Sequence, residues 1–392
     1  MRVALLSTLD DAVTPAPVRA AYRNFAGARI IDRQIDLALA ADCETIACLV
    51  EGIGREVAEA QRRAEQSGVR FVAMQNPRAL SGLVTEADEL FVVAAGVLPS
   101  DAAVLDNVAR PAVLAFPAED AVARGYERID PEFAWSGALL APGSVVEHLT
   151  ELPPDNDVVA SLLRLSLQSG VKVLPLEKRL IEDGQWHIDP SIEELVDREE
   201  RWIKTHASPA PLTAPGLAVA ERIGARLARD TLGTKGARLP ALGAAVSGIG
   251  ALALAALGMP VTALALGAVM AMLGAAGETV ERIARAGQFG ARRSALAKAL
   301  DWSTDPVLVI LIAAASPEYT GWLRLFVPAM LFGLLRLGAR LRDDKWGASY
   351  RDRIAVSALL VPCAFLGITQ PIAAIMALLV LISLFLVPHR GD

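Results

Sequence analysis

The sequence is poor in cysteine and histidine and lacks several common catalytic motifs. Its three cysteines form no CxxC pair, so we expect reduced structural thiols and no disulfide framework. The four histidines lie far apart without ligand spacing, which argues against a zinc site. No G-x-S-x-G elbow is present. The opening "MRVALLSTLDD" reaches acids too soon for a secretory signal, so we expect the first domain in the cytoplasm.

Hydrophobic residues make up 53% of the 392 residues, and they are unevenly distributed. Up to about residue 205 the chain resembles an acidic globular protein, whereas from Leu239 onward it is mostly Ala, Leu, Val, Gly and Ile. The net charge of −6 argues against nucleic acid as a partner. We therefore predict a soluble domain (1–205), a linker with a juxtamembrane amphipathic helix (206–237) and a membrane domain (238–392).

Six apolar stretches predict an all-α domain of six transmembrane helices. They cover residues 239–258, 260–277, 305–317, 321–338, 353–370 and 371–388. A helix needs about 20 largely apolar residues to cross a bilayer. The third stretch reaches that length only if its helix begins before Asp301.

The loops between these stretches alternate in charge. Segments 222–238, 282–298 and 336–353 carry many basic residues, whereas the connections "GMP", "SPEYTG" and "ITQP" carry none. Basic loops face the cytoplasm, so we predict a multi-pass inner-membrane protein with both termini cytoplasmic. The alternative is a buried helical bundle in a soluble protein, which leaves the charge alternation unexplained.

Four acids lie between the second and third stretches. Glu278 and Glu281 are three residues apart, and Asp301 and Asp305 are four apart, so each pair projects from one face of a helix. Four converging carboxylates would repel one another near a membrane, and a divalent cation would compensate them. Oxygen ligands suit magnesium, manganese or calcium.

This arrangement resembles the CDP-alcohol phosphotransferase family, whose pattern is D-x2-D-G-x2-A-R-x8-G-x3-D-x3-D on the second and third of six membrane helices. The segment "AKALDWSTD" matches the end of the pattern through Asp301 and Asp305. At its beginning Glu278 and Glu281 replace aspartates, and Arg282 replaces glycine. The gap from Glu281 to Asp301 is two residues longer than the pattern requires.

The resemblance implies transfer of a phospho-alcohol group from a CDP-linked donor to a lipid or polyol alcohol acceptor in phospholipid or polar-lipid synthesis, with a homodimer as the expected oligomer. Glu278, Glu281 and Asp301 would hold Mg²⁺ or Mn²⁺, and Asp305 would act as general base. Arg285, Arg292 and Lys298 would bind the donor phosphates. The alternative is that the acids form salt bridges with the interleaved arginines on a solvated face. Pro306 favours a kink or a helix start.

The first half alternates strands and helices. The runs "VALLS", "TIACLVE", "RFVAM", "ELFVVAAG", "AVLAF", "GALLA" and "VKVLPL" read as strands, and "IIDRQIDLALAAD" and "GREVAEAQRRAEQSG" read as helices. This alternation predicts a Rossmann-like α/β domain with a mainly parallel sheet. Ligands of such sheets bind at the carboxyl ends of the strands.

In order and spacing this half resembles sugar-phosphate nucleotidyltransferases, on the segments "NFAGARIIDRQIDLALAADCETI", "AWSGALLAPGSVVEHL" and "WHIDPSIEELVDREERW". The Gly-rich phosphate loop of that family is absent, because "STLDDAVTPAPVRAAYR" stands there without glycine. In the last motif His187 replaces an aspartate, while Asp189 remains. Arg19 and Arg23 are candidate anion contacts, and we expect an inactive or binding-only domain.

Two hypotheses follow. The first is a membrane CDP-alcohol phosphotransferase with a regulatory, docking or donor-binding soluble domain, resembling bifunctional enzymes that make and then use CDP-inositol. A bifunctional cytidylyltransferase and phosphotransferase is a variant of it. The second is a non-catalytic membrane scaffold or binding protein in which both domains are degenerate.

Overall fold

A computed structural model describes residues 1–9, 18–151, 157–206, 211–231, 238–286, 293–318, 321–342 and 347–386. The chain divides into two compact units. The first runs from Met1 to Arg201, and the second comprises Trp202–Ala286 and the described residues from 293 onward. The first is α/β and the second is helical, as the sequence predicts.

The first unit is organised around a mainly parallel sheet. Its strands, β1 to β9 in chain order, are Arg2–Ser7, Asn24–Phe25, Ala28–Arg29, Thr45–Leu49, Arg70–Met74, Glu89–Val93, Ala112–Pro117, Phe133–Pro142 and Lys172–Pro175. Seven of them form the sheet in the order β5-β4-β1-β6-β8-β7-β9, and β2 pairs with β3. Only β8 runs antiparallel to its neighbours in the large sheet. The seven predicted strands are therefore confirmed.

Helices cover both faces of this sheet. The helices α1 to α8 are Ile30–Ala40, Arg55–Gln66, Asp101–Leu105, Ala118–Ala121, Ser144–Glu147, Val158–Gln168, Arg179–Glu182 and Ile192–His206. In β1, Ala4 and Leu6 pack into one apolar cluster and Val3 and Leu5 into another. A parallel strand buried on both faces has an unbroken apolar sequence, which explains "VALLS".

The cysteines of this unit belong to the core. Cys43 and Cys48 are free and buried, and burial raises the pKa of each thiol to about 12. Cys363, in the second unit, is also free and buried. These are the reduced structural thiols that the sequence predicts.

The second unit consists of helices. The helices α9 to α16 are Pro215–Thr231, Leu239–Ala256, Pro260–Arg285, Ala295–Ala314, Leu323–Leu341, Gly347–Arg351, Arg353–Phe365 and Thr369–Phe385. α11 extends eight residues beyond the apolar stretch predicted to end at 277, so both glutamates lie inside the helix. α12 begins at Ala295, before Asp301, as its length requires. Pro306 lies inside α12 and does not start it.

The prediction of six spans needs correction. Among the described residues, two helices, α10 and α11, are long and apolar enough to cross a membrane. α12 and α13 have 20 and 19 residues, but each carries three charged residues. α15 and α16 are shorter, with 13 and 17 residues. The apolar stretches are present, but charges or early helix ends keep four of them below the requirement for a span.

Small residues bring α10 close to α11. A Cβ at Gly248 would lie 2.7 Å from Met270 Sδ, and one at Gly250 would lie 3.1 Å from Leu266 Cδ2. Large apolar residues of α10 point the other way, since Val246 and Ile249 are 70% and 72% exposed. Inward small residues with outward large apolar ones reverse the usual pattern of a helix in a water-soluble protein.

The predicted amphipathic helix is α9, and it packs against α11. Ala220 and Ala228 are fully buried, and Gly224 between them faces Ala276 and Thr279. Glu221 forms an ion pair with Arg282 at 3.3 Å. The stripe of small residues lets the two helices approach closely. Residues 207–210 of the predicted linker and 232–237 beyond this helix lie outside the described residues.

Two glycine-to-alanine substitutions test this packing. A Cβ at Gly224 would lie 2.7 Å from the Ala276 carbonyl oxygen, whereas one at Gly333 on α13 meets no atom within 4 Å. Alanine stabilises a helix by up to about 1 kcal/mol relative to glycine, but overpacking costs about 1–3 kcal/mol. We expect Gly333→Ala to raise and Gly224→Ala to lower the thermal unfolding midpoint in detergent. An equal rise in both variants would contradict the close contact.

Candidate functional site

The four acids predicted from the sequence lie on two neighbouring helices, near the end of α11 and the beginning of α12. Glu278 and Glu281 belong to the last turns of α11. Asp301 lies in the first half of α12, and Asp305 lies at its middle. The N-cap of α12 is Ser294, whose hydroxyl accepts a hydrogen bond from the amide of Ala297 at 3.1 Å. Glu278, Glu281 and Asp301 thus lie near the ends of α11 and α12 that follow each other in the chain, and Asp305 lies further along α12.

Glu278 and Asp301 share one cation. Arg293 donates from Nη2 to Glu278 Oε1 at 2.5 Å, and its Nη1 lies 3.6 Å from Asp301 Oδ2. The guanidinium therefore stands between one acid of α11 and one acid of α12. Charge-assisted contacts of this kind are stronger than neutral hydrogen bonds.

Glu281 holds the connection between the helices. Its Oε1 accepts a hydrogen bond from the Ser294 amide at 2.5 Å, and its Oε2 accepts one from the Ser294 hydroxyl at 3.1 Å. Arg285, predicted to bind donor phosphate, lies one turn further along α11 with Nε 3.7 Å from Glu281 Oε1. Glu281 thus has both oxygens engaged near the start of α12.

Asp305 is buried and held by arginines. Arg353 donates to its Oδ1 at 2.8 Å and to its Oδ2 at 3.0 Å, which is a bidentate pair. Arg336 lies 3.6 Å from Oδ2 and stacks over the Trp302 ring at 4.9 Å. The Arg353 guanidinium in turn lies over the Phe332 ring at 5.9 Å. These contacts join α12 to α13 and α15 and engage both oxygens of the expected general base.

These residues do not fit a divalent cation. Throughout the described parts of the chain, no three His, Cys, Asp or Glu side chains converge in a group able to hold a metal. A guanidinium lies between Glu278 and Asp301, and Glu281 bonds to Ser294. A magnesium or manganese ion needs several oxygens at about 2.0–2.2 Å. Here Glu278, Asp301 and Asp305 form ion pairs with arginines instead.

Of the predicted phosphate ligands, Arg285 and Lys298 are among the described residues. Lys298 is exposed on α12. Arg292 lies outside the described residues. Arg285 stays beside Glu281. Their role in binding a donor phosphate stays a prediction.

In the first unit, Arg23 and Asp189 come together. Arg23 Nη1 donates to Asp189 Oδ1 and to the Pro190 carbonyl, both at 2.7 Å. Gly96, just after β6, has a φ of +67°, and a Cβ there would lie 2.7 Å from Ala20 Cβ. Only glycine fits this position, because the loop after β6 lies against the Ala20 segment.

Arg19, the third residue predicted in this unit, has a different partner. It forms an ion pair with Glu51, which follows β4. Residues 10–17, where the Gly-rich loop was expected, lie outside the described residues. Arg19 and Arg23 thus form ion pairs with two different carboxylates, Glu51 and Asp189.

A buried arginine, Arg198, escaped the sequence analysis, and it contacts His187. Arg198 donates to the carbonyls of Leu98 and Pro99 at 2.7 and 3.1 Å, and burial lowers its pKa to about 9. It also contacts His187 Nδ1 at 3.1 Å. Burial and then Arg198 lower the pKa of His187 to about 4. The histidine is therefore neutral and accepts a hydrogen bond at Nδ1.

Sequence reasoning missed Arg198 because it sits in the mixed-charge run "LVDREERW", where periodicity alone does not say which charge is buried. The alternative of salt bridges with the interleaved arginines covers Arg293, but the sequence analysis missed Arg336 and Arg353 as partners of Asp305. The many basic residues in the loops were the available signal. The sequence analysis used them only to predict the orientation of the helices.

No protein-family model and no curated protein matches this chain. Among solved structures, a crystal structure of UDP-glucose pyrophosphorylase complexed with UDP-glucose aligns with 52% of this chain and 99% of its own. The sequence identity is 13% and the TM-score is 0.40. The roles of the residues above rest on their own contacts.

A double-mutant cycle tests the Asp305–Arg353 pair. Removal of one partner leaves a buried charge, so we expect Asp305→Ala and Arg353→Ala each to cost about 3–5 kcal/mol of unfolding free energy. The double variant should cost less than the sum of the two, by about 1–3 kcal/mol. The control is Arg55→Ala, which breaks an exposed pair with Glu59 and should cause no measurable change. Additive losses would show that the two side chains are not coupled.

The pH dependence of stability tests His187. Its folded pKa of about 4 lies below its ordinary 6.5, so the unfolded chain takes up a proton first as pH falls. Its contribution is fully present above pH 6.5 and is lost as pH falls toward 4. Because the ring is partly exposed, we expect this loss of unfolding free energy to be about 1 kcal/mol. His187→Asn should flatten this part of the stability curve of the full-length protein, whereas substitution of the exposed His148 should not. Identical curves of stability against pH for the wild type and His187→Asn would refute a lowered pKa of His187 in the folded protein.

Proposed function

We propose that this protein is a membrane protein built like a CDP-alcohol phosphotransferase and acting as a non-catalytic scaffold or binding protein. One observation carries the proposal. Each of the four acids is already engaged within the chain, three of them by arginine and Glu281 by Ser294 and Arg285. Metal-dependent transfer needs carboxylates that are free to bind a cation and a substrate proton. Here the carboxylates hold helices together.

The membrane location is supported by the outward face of the helical unit. Val246 and Ile249 on α10, and Leu379 and Phe385 on α16, are each more than half exposed. An apolar surface costs about 25 cal/mol for each Å² in contact with water, and lipid removes this cost. The charged ends of the shorter helices suit the interface, where long basic side chains extend toward water. We therefore propose that this unit lies in a membrane, with α10 and α11 as its spanning helices and both termini in the cytoplasm.

The α/β unit is proposed as a docking or donor-binding domain. It has the mainly parallel sheet expected of a nucleotidyltransferase-like domain. Asp189, however, is paired with Arg23, and the segment where the Gly-rich phosphate loop was expected has no glycine. A domain without acids for a metal and a nucleotide would bind a ligand without cytidylyl transfer.

A second candidate function is CDP-alcohol phosphotransfer itself. The observation that favours it is the position of Glu278 and Asp301, which approach the same guanidinium from two helices. If a CDP-linked donor drew Arg293 toward its diphosphate, both carboxylates would become available. This candidate takes a lipid or polyol alcohol as acceptor and requires Mg²⁺ or Mn²⁺.

A release assay separates the two candidates. Purified full-length protein is incubated with radiolabelled CDP-alcohols, lipid or polyol acceptors, and magnesium or manganese, beside Asp301→Asn and Asp305→Asn. We expect CMP release at the background rate in all three proteins. Metal-dependent release by the wild type that is lost in both variants would establish the transferase and overturn the non-catalytic function.

A further inference from the structure

We propose that the basic face of α9, formed by Val219, Arg222 and Arg226, binds the headgroups of anionic phospholipids. The partner is the phosphate of a lipid at the surface of the bilayer. This inference rests on the membrane location proposed above, and it adds a class of lipid that the location alone does not specify.

The three residues of the basic face are neighbours on the surface of α9. Positions 219, 222 and 226 are separated by three and four residues, which places their side chains on one side of an α-helix. Val219 is 47% exposed, and Arg222 and Arg226 are exposed as well. The opposite side of α9 is the stripe of small residues that packs against α11. The two arginines therefore point away from the helical unit.

The charges of α9 differ in the partners they have. Glu221 is turned inward, where its side chain is 17% exposed and forms the ion pair with Arg282. Neither Arg222 nor Arg226 forms a hydrogen bond or an ion pair with another described residue. Glu221 is thus neutralised inside the unit, whereas the two guanidinium groups are left to a partner outside it. An anion complements this face, and guanidinium groups bind phosphate oxygens with well-defined geometry.

The position of α9 along α11 corresponds to the depth of lipid headgroups. Residues 260–277 of α11 are free of charge, and residues 278–285 carry four charges. A Cβ at Gly224 would lie 2.7 Å from the Ala276 carbonyl oxygen, so the middle of α9 meets α11 where its sequence changes from apolar to charged. α11 is one of the two helices long and apolar enough to cross a membrane. In a bilayer such a boundary lies at the headgroups.

An exposed tryptophan marks the same end of the helical unit. Trp302 on α12 is 67% exposed, and an arginine guanidinium lies over its ring at 4.9 Å. Tryptophan is enriched where a membrane meets water. One turn further along α12, Asp305 pairs with Arg353 at the start of α15. The preceding residue, Asp352, accepts a hydrogen bond from the Gly216 amide of α9 at 2.8 Å. Trp302 and the start of α9 thus lie at one end of the unit.

A lipid titration of the full-length protein tests the binding of anionic headgroups. The thermal unfolding midpoint is recorded in neutral detergent micelles that contain increasing amounts of phosphatidylglycerol or phosphatidylcholine. A ligand that binds the folded protein raises this midpoint. For the wild type we expect a rise of a few degrees with phosphatidylglycerol and a smaller rise with phosphatidylcholine. Added salt should weaken the response to phosphatidylglycerol, because the attraction between exposed charges is screened.

Two double variants connect the response to the basic face. An arginine near an anionic surface strengthens binding about fivefold, so Arg222→Gln with Arg226→Gln should need about 25-fold more phosphatidylglycerol for half of the full response. Arg222→Lys with Arg226→Lys keeps both charges and should remain close to the wild type. If the double glutamine variant does not fold, each single glutamine variant is measured and should show a shift of about fivefold.

Two controls identify the site and the ligand. Arg78→Gln with Arg110→Gln removes the same charge from exposed positions of the α/β unit, and it should respond to phosphatidylglycerol like the wild type. Glycerol 3-phosphate carries the phosphate of the lipid without its acyl chains, and we expect no rise of the midpoint with it. An equal rise with glycerol 3-phosphate would assign the basic face to a soluble anion and overturn the lipid.

The outcomes separate this inference from the proposed function. Flotation of the reconstituted wild type with phosphatidylcholine liposomes tests the membrane location independently of the arginines. If the wild type floats, equal responses to the two lipids, or an unchanged response of the double glutamine variant, overturn this inference alone. A wild type that does not float overturns the membrane location and this inference with it. Metal-dependent CMP release overturns the non-catalytic function alone.

Discussion

A buried carboxylate must have a cation beside it, and this requirement shapes the helical unit. Asp305 is buried, and Arg353 and Arg336 come from two other helices to meet it. Glu278 and Asp301 also meet one arginine, Arg293, but each of these carboxylates is more than half exposed. Removal of Asp305 or Arg353 leaves a buried charge uncompensated, at a cost larger than the pair's own net contribution. The ends of α11, α12, α13 and α15 are therefore positioned by electrostatics as well as by packing.

The α/β unit shows the same arrangement. Asp189 is held by Arg23, and the deeply buried Arg198 is satisfied by carbonyl oxygens and by a neutral His187. In both units, carboxylates that the sequence analysis selected as site residues are held by ion pairs within the chain. These pairs give each unit structural definition, because the charged groups in them are satisfied.

Much of the fold could be predicted because hydrophobic patterns depend on local sequence. The seven strands of the sheet, the helices α1 and α2, and the start of α12 before Asp301 follow from apolar periodicity and length. The extension of α11 through Glu278 to Arg285 could not be predicted in this way, because charged residues ended the apolar stretch without ending the helix. The count of six spans failed because α12 and α13 carry charged residues and α15 and α16 end early. Hydropathy and helix length are separate properties.

The sequence by itself determined the two-part organisation, the α/β and helical classes, and the presence of four acids at helical spacing. Composition and periodicity are properties of neighbouring residues, so they can be read along the chain. Only the tertiary structure decided which cation meets which acid. Asp305 and Arg353 are 48 residues apart, and several other arginines lie nearer to Asp305 in sequence. Choosing among them depends on how the helices pack, and that choice turned a predicted metal site into a set of ion pairs.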